Sequence, residues 1–410
     1  MSNVEEIRKD FPMLNDKYID GKPLVYLDNG ATTFKPNQVI KAVENYYTNI
    51  TANAHRGDYA TSLMVDEAFE HCRTTVGKFI NCQEKEVVFT SGASGALNLA
   101  AYGYGNKFLK EGDIILTSEA EHASNILPWF KVSEQTGATV EYIPLDDEGR
   151  ITVENFKSVI NERVKIVALA MVGNVLGYIA PIKEICQIAH EYGAVVVVDG
   201  AQSVPHLKTD VKDLDCDFLA FSAHKLCGPT GVGVLYGKYE LLEKMDPFML
   251  GGGSNARFDM CGNLTLKNPP YKFEAGTQPI EGVLGMDAAI QYLMDIGMEN
   301  IAAREQQLHK YAIEKMQQLD NLVIYNPNGD TGIIAFNVKN VFAQDAASYL
   351  STQGVCLRSG NHCAKILVNF LQTGATLRCS LYFYNTEKEI DAMIEALQNT
   401  TIENCIGTIF

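Results

Sequence analysis

No run of about 18 uninterrupted apolar residues occurs in this sequence, so it lacks the length of greasy helix that a bilayer crossing requires. Between Met1 and Leu14 acids and bases follow one another too closely for a signal peptide. A cytoplasmic protein with no membrane partner is expected. Cations are also scarce: 34 Lys and Arg stand against 50 Asp and Glu, for a formal charge of -16. Such a surface repels phosphate backbones, which argues against nucleic acid as a partner. The ten cysteines form no C-x-x-C pair and no regular spacing, which speaks against a disulfide framework and a zinc ribbon, and no metal site is expected. Most should be reduced thiols packed as small apolar groups. Internal repeats, Pro-rich linkers and low-complexity tracts are missing as well.

What is present is enough chain for more than one core. With 410 residues and 46% apolar content, the sequence exceeds the ~250 to 300 residues at which single cores stop growing. From about Glu86, short β-rich runs (Val87-Val88-Phe89, Ile114-Ile115-Leu116, Val140 to Ile143, Val164 to Met171, Ala194 to Val198) alternate with amphipathic stretches such as Ile182 to Tyr192. This is the rhythm of βα units. Val195 to Val198 has no polar face, as expected of a central parallel strand covered on both sides. After roughly Ala275 the pattern changes to a long helical region (Gly282 to Leu319), a strand at Ile333 to Phe336, a helix at Ala343 to Gln353, strands near Val355 and over Leu377 to Phe383, and a last helix over Thr386 to Leu397. The expected architecture is α/β, with a mainly parallel central sheet in a large domain over 21–295 and a smaller α+β C-terminal domain over 296–410. Residues 1–20 would form an arm packing on the small domain.

Chemistry concentrates where strands end, because open α/β sheets bind ligands beyond the carboxyl ends of their strands. Phe221 to Gly231 (FSAHKLCGPTG) leaves a strand for a Gly/Pro-rich turn with Lys225 in it. A partly desolvated lysine loses proton affinity and can act as an amine nucleophile toward an aldehyde. Ser222 and His224 flank it with side chains suited to a phosphate. The run Ala194 to Val198 ends in Asp199-Gly200-Ala201-Gln202. Asp199 alone could be a helix cap; beside Lys225 it is the anion that a pyridine cofactor needs at its ring nitrogen to become an electron sink. Together they point to pyridoxal phosphate, held by Lys225 as a Schiff base, with Gln202 at its phenolic oxygen. Ser91-Gly92-Ala93-Ser94-Gly95 leads into a helix over Ala96 to Phe108, where backbone N–H groups could meet the phosphate. Ser118-Glu119-Ala120-Glu121-His122 offers an imidazole that could stack on a flat ring and handle protons.

These four strand ends resemble the fold-type I pyridoxal-phosphate enzymes of the class V aminotransferase family, and within it the Suf-type (group II) cysteine desulfurases. The likeness extends over Val4 to Pro12, Tyr26 to Ala31, His55-Arg56-Gly57, Asn174 to Gly177, Gly251 to Gly253 and Phe273 to Thr277. It implies conversion of L-cysteine to L-alanine, with a persulfide on Cys363 in the loop Arg358 to Ala364, and sulfur supply for iron-sulfur cluster assembly. It also implies that Asn174 contacts cofactor and substrate, that Thr277 reaches the phosphate in the neighbouring subunit of a homodimer, and that Arg378 clamps the substrate carboxylate, a task its bidentate fork suits. Cys379, on the opposite face of that strand, should be core. His362 and Arg358 would favour the Cys363 thiolate. The short spacing from Cys363 to Arg378 implies a cysteine held in place, and such enzymes pass sulfur to an acceptor protein of the SufE or SufU type.

The chain departs from the family pattern at three places. Ala93-Ser94-Gly95 stands where a Thr-Thr-Glu-like run is common, so phosphate binding would lean on backbone N–H groups. Asn361 replaces a frequently basic neighbour of Cys363, and Cys227 adds a thiol two residues beyond Lys225. Selenocysteine lyase and cysteine-sulfinate desulfinase remain alternatives on the same site. A class V transaminase or epimerase, or a non-catalytic scaffold for a sulfur-transfer partner, are readings from other classes.

Overall fold

The computed structural model describes residues 4–19, 21–55 and 57–407. Residues 1–3 and 20 of the arm, Arg56 of the His55 to Gly57 stretch, and 408–410 of the tail lie outside the described residues. Thirteen strands carry the argument: β1 (Val25–Tyr26), β2 (Val87–Thr90), β3 (Ile114–Ser118), β4 (Thr139–Ile143), β5 (Val164–Ala170), β6 (Val195–Asp199), β7 (Phe218–Ser222), β8 (Gly233–Gly237), β9 (Leu322–Ile324), β10 (Ile333–Val338), β11 (Val355–Cys356), β12 (Arg358–Gly360) and β13 (Thr376–Ser380).

Seven of them form the central sheet in the order β2-β8-β7-β6-β5-β3-β4. Only β8 opposes the rest, pairing antiparallel with both β2 and β7. The apolar runs are explained by burial on both faces. Val167, Leu169, Val196 and Val198 pack into one core, with Val65, Phe69, Val76, Val283, Met286 and Leu293 from the long helices Ala60–Ile80 and Ile280–Ile296. Their alternating neighbours Ile166, Ala168 and Val197 pack into another, with Leu97, Ala100 and Trp129. Period-two alternation between two apolar layers is what a covered parallel sheet demands.

A second, antiparallel sheet has the order β9-β10-β13-β12, and its core includes Phe336, Leu350, Leu377, Cys379, Met393 and Leu397. The 21–295 boundary needs one correction. β1 pairs in parallel with β11, and Val25 and Leu27 belong to this second core. The strand is two residues long and takes its place from a partner 330 positions downstream, so no local pattern marks it. The arm reaches both cores: Arg8 binds Glu389 at 3.1 Å and the Tyr384 carbonyl at 2.7 Å, while Phe11 is fully buried against Tyr292, Phe383 and Tyr384.

Three elements differ from expectation. The helical region Gly282 to Leu319 breaks at Gly297, whose φ of 88° ends Ile280–Ile296 and starts Met298–Met316. The helix placed at Ala96 begins at Ala93 and passes into a π-helical turn over Ala101–Gly105. The strand extended to Phe383 stops at Ser380, after which Tyr382, Phe383 and Tyr384 pack on one another. A short helix, Ile402–Ile406, occupies the tail.

Candidate active site

The co-directional strands bring their carboxyl ends to one sheet edge, and the residues that follow β2, β3, β5, β6 and β7 line one cavity of about 200 Å³. The second sheet closes it with Arg358, His362, Cys363 and Arg378, and the segment after β1 adds Gly30 and Ala31. Ala93, Ser94, His122, Asn174, Asp199, Gln202, Ser222, His224 and Lys225 all face the same space. Thr277 does not; it is exposed and lines no part of this cavity. Among the described residues no helix is long and apolar enough to cross a membrane.

Lys225 ends a 3₁₀ turn directly after β7. Burial lowers its amine to about 8; Asp199 opposes this, and Arg378 and Arg358 add to it. An amine with that affinity is deprotonated in a useful fraction near neutral pH. Asp199 is buried, and that burial raises its carboxyl, against the Ala201 N–H at 2.9 Å and the nearby Lys225 charge. It therefore gains by ionising opposite a cation. At the β2 exit, Gly92 has a φ of 139°, and the Ala93 N–H beyond it donates to Ser222 Oγ at 2.7 Å. Ser222 thus accepts from the neighbouring turn and retains its one O–H to donate.

The three cavity histidines are neutral. Burial lowers His122 to about 4, helped by Lys225 and the arginines, and its Nδ1 accepts the Ser124 N–H at 3.1 Å. Its proton is therefore on Nε2. Burial also holds His224 near 4. His362 requires a correction, because it was expected to favour a thiolate at Cys363. Burial lowers it to about 3, and its Nε2 sits 2.9 Å from Thr376 Oγ1 and 3.1 Å from the Thr376 carbonyl. An uncharged ring turned into the second sheet offers no cation to a thiolate, which leaves Arg358, exposed at the rim.

Arg378 is 2% exposed. Its Nη1 donates to the Asn174 carbonyl and its Nη2 to Asp28 Oδ1, each at 3.0 Å, while Nε is buried without a partner. Asn174 Nδ2 donates to the His362 carbonyl at 2.8 Å and leaves Oδ1 unpaired. Gln202 Nε2 is committed to the Gly30 carbonyl at 2.8 Å, so the atom left for a ligand is Oε1, also unpaired. Gln202, expected as the hydrogen-bond partner of a phenolic oxygen, thus has an acceptor free and its donor nitrogen engaged. Buried polar atoms without partners are rare, and here four of them, Arg378 Nε, Asn174 Oδ1, Gln202 Oε1 and His362 Nδ1, belong to residues lining one cavity with a buried carboxylate and a buried amine.

Cys363 is exposed and lines the cavity mouth. His362 and Cys363 both have positive φ, 51° and 58°. Two consecutive non-glycine residues in that region cost about 1–2 kcal/mol each, and the loop is tied across the domains to offset it: Ala123 N–H donates to the Cys363 carbonyl at 2.8 Å. Cys379 faces away and is fully buried. Cys227 is also buried outside the cavity, its thiol pushed up to about 12, so it is a core side chain.

Several contributors were not singled out from the sequence. Asp28, Gly30 and Ser124 meet the site from afar; Asp28 and Gly30 sit in a Leu27-Asp28-Asn29-Gly30 boundary where an apolar run meets polar residues. Glu121 is buried between Ser118, Asn125 and the Ala170 N–H. Burial pushes its carboxyl to about 8, and neighbouring Asp199 adds to that.

A model of one family, described as aminotransferase class-V, matches residues 25–393. The chain belongs to that family. It is 45% identical over 401 residues, 97% of this chain and 98% of the other, to a probable cysteine desulfurase of Halalkalibacterium halodurans. A solved cysteine desulfurase of Thermococcus onnurineus superposes with a TM-score of 0.92 at 37% identity, covering 97% of this chain and 98% of that one. A cysteine desulfurase of Escherichia coli, with its cysteine as the S-sulfonic acid, gives a TM-score of 0.90 at 35% identity over 99% of both chains. The class V fold accounts for the sheet order and for cavity-lining residues at five strand ends.

Proposed function

We propose that this chain is a pyridoxal-phosphate-dependent cysteine desulfurase. The carrying observation is that one cavity presents an amine (Lys225), a guanidinium with an unpaired Nε (Arg378) and an exposed thiol (Cys363) to the same space. The donor set fits the cofactor: Lys225 as the attachment point, Asp199 for the ring nitrogen, His122 for the ring face, and Ser222, His224 and the helix start at Ala93 and Ser94 for the phosphate. When bound, the group supplies an electron sink for charge developing at the substrate α-carbon.

The protein supplies the rest. Arg378 holds the L-cysteine carboxylate through Nε and the outer edge of its fork. Lys225 Nζ, deprotonated in part because it is buried, takes the α-proton. Asn174 Oδ1 and Gln202 Oε1 orient what lies between them. Cys363 Sγ, as thiolate, attacks the substrate sulfur, so that the S–S bond forms as the C–S bond breaks and alanine departs after protonation. An exposed persulfide on a fixed loop suits hand-over to a second protein, of the SufE or SufU type. Thr277, outside its own cavity, would serve the cavity of a second copy in a homodimer.

Exposure to L-cysteine should add one sulfur atom to the Cys363 peptide, read by mass spectrometry, and Cys363→Ser should keep the bound cofactor's absorbance while sulfide release stops. Undiminished sulfide from Cys363→Ser removes the thiol from the scheme.

A further inference from the structure

Residues Thr32 to Lys35 lie outside the groups just assigned, yet they converge on one atom. The carbonyl oxygen of His224, bonded through its peptide to Lys225, receives the Thr33 N–H at 3.0 Å, Thr32 Oγ1 at 3.0 Å, Thr33 Oγ1 at 3.1 Å and Lys35 Nζ at 3.3 Å. A carbonyl has two lone pairs, so four donors exceed what turn geometry requires. Thr33 Oγ1 also accepts the N–H of Cys227 at 2.9 Å, on the other side of Lys225. The turn is thereby gripped at both ends.

Lys35 is itself an unusual member. Its acceptors are the His224 carbonyl, Thr32 Oγ1 and the Thr33 carbonyl, none of them a carboxylate. Burial lowers its pKa. A half-buried ammonium with neutral acceptors only is costly, and what it holds is the peptide that precedes the reactive amine. Cys227 sits at a φ of 63°, a conformation a non-glycine residue adopts under restraint. The same segment continues into the site: Gly30 accepts from Gln202, and Asp28 pairs with Arg378.

We propose that Lys35, with Thr32 and Thr33, is a positioning residue for Lys225: the clamp on the His224 carbonyl fixes the peptide plane from which the amine projects and keeps that amine inside the cavity. The inference rests on Lys225 being the reactive amine. The charged groups facing that amine are Asp199, Arg378, Arg358 and Cys363, with His122 and His224 beside them in the cavity; of these only His224 feels the Lys35 charge, which helps to keep its ring neutral, and Lys35→Arg preserves that effect.

The test compares Lys35→Met with Lys35→Arg in the full chain. The first readout is the pH midpoint for acylation of Lys225 by a small amine reagent, followed by peptide mass spectrometry after the cofactor has been stripped. The second is kcat and KM for cysteine with the cofactor bound. A released lysine finds water, so Lys35→Met should raise the midpoint by about one pH unit and lower kcat roughly tenfold with KM changed less than about twofold. Lys35→Arg, which retains charge and donors, should stay near the parent on both. A folded Lys35→Met with an unchanged midpoint overturns the clamp, as does an Arg variant that fails as fully as Met. Should Lys35→Met not fold, Thr33→Val and its rescue by Thr33→Ser are read against the same criteria. The acylation midpoint is measured without cofactor or cysteine; a chain that never releases sulfur would sink the desulfurase reading and still decide the clamp.

Discussion

Replacing Arg378 by lysine keeps a positive charge and removes a geometry, which makes it the sharpest probe of the carboxylate clamp. In the structure Nη1 and Nη2 are occupied by the Asn174 carbonyl and Asp28, each at 3.0 Å, and only Nε is unpaired. A carboxylate can therefore meet this guanidinium side-on, through Nε and the second hydrogen of Nη2. Lysine offers three donors from a single point and cannot serve Asp28 and a bidentate ligand in the same arrangement. A hydrogen bond between charged groups contributes about 1.5–3 kcal/mol. Loss of one such bond to the substrate should raise KM for cysteine roughly 10- to 150-fold, with kcat changed less than about threefold. Sulfide release in the presence of a thiol reductant measures both constants. The control is cysteine methyl ester, which lacks the anion: its kcat/KM should fall by less than about threefold. Equal losses on the acid and the ester, or an unchanged KM for cysteine, would refute the assignment of Arg378 to the carboxylate.

Two further outcomes follow from groups that do no chemistry. Arg73 is 1% exposed and binds Glu274 at 2.8 and 3.0 Å and the Val87 carbonyl at 2.7 Å, pinning the segment before Thr277 to the strand that enters the Ser91 turn; Arg73→Met strands a buried carboxylate and should cost about 3–5 kcal/mol, read as a lower denaturant midpoint. His362 is held near 3 by burial, well below the ordinary histidine value of 6.5, so between those values the unfolded chain binds a proton that the folded chain does not, and stability falls as the pH is lowered through that window. The slope this one group adds is at most about 1.4 kcal/mol per pH unit; His362→Gln should flatten the acid limb of an unfolding titration by up to that slope, and a parallel limb in the variant would show that the ring titrates normally in the folded state.

The parts of the site that could be read in the sequence share one physical property. Asp199, Ser222 to Lys225, His122 and Ser91 to Ser94 each follow an apolar run without a polar face, and a strand covered on both sides can place its first polar residues only at its end. Parallel alignment then gathers those ends at one edge, so the local pattern carries long-range information. Arg378 and Cys363 lacked such a signal in their own surroundings and were reached through resemblance. The part expected of His362 depends on its burial and on the nearby Arg378 charge, which together keep its ring neutral, and spacing along the chain reports neither.

The segment Asp28 to Lys35 was the least legible, and its partners explain why. Its contacts run to His224, Gln202, Arg378, Ser380 and Tyr384, between 172 and 355 positions away. It leaves the second core at Leu27, touches the guanidinium on β13, and ends on the lysine turn after β7. On the proposed function, the groups assigned to substrate on one sheet and those assigned to cofactor on the other have to keep a common geometry, since a displacement of about 1 Å between them can cost on the order of a hundredfold in rate. A strap bonded to both sides supplies that rigidity from outside the reacting set. On this reading, disturbing the strap should move kcat before it moves folding, and residues with no direct part in the chemistry set how well the two halves of the site agree.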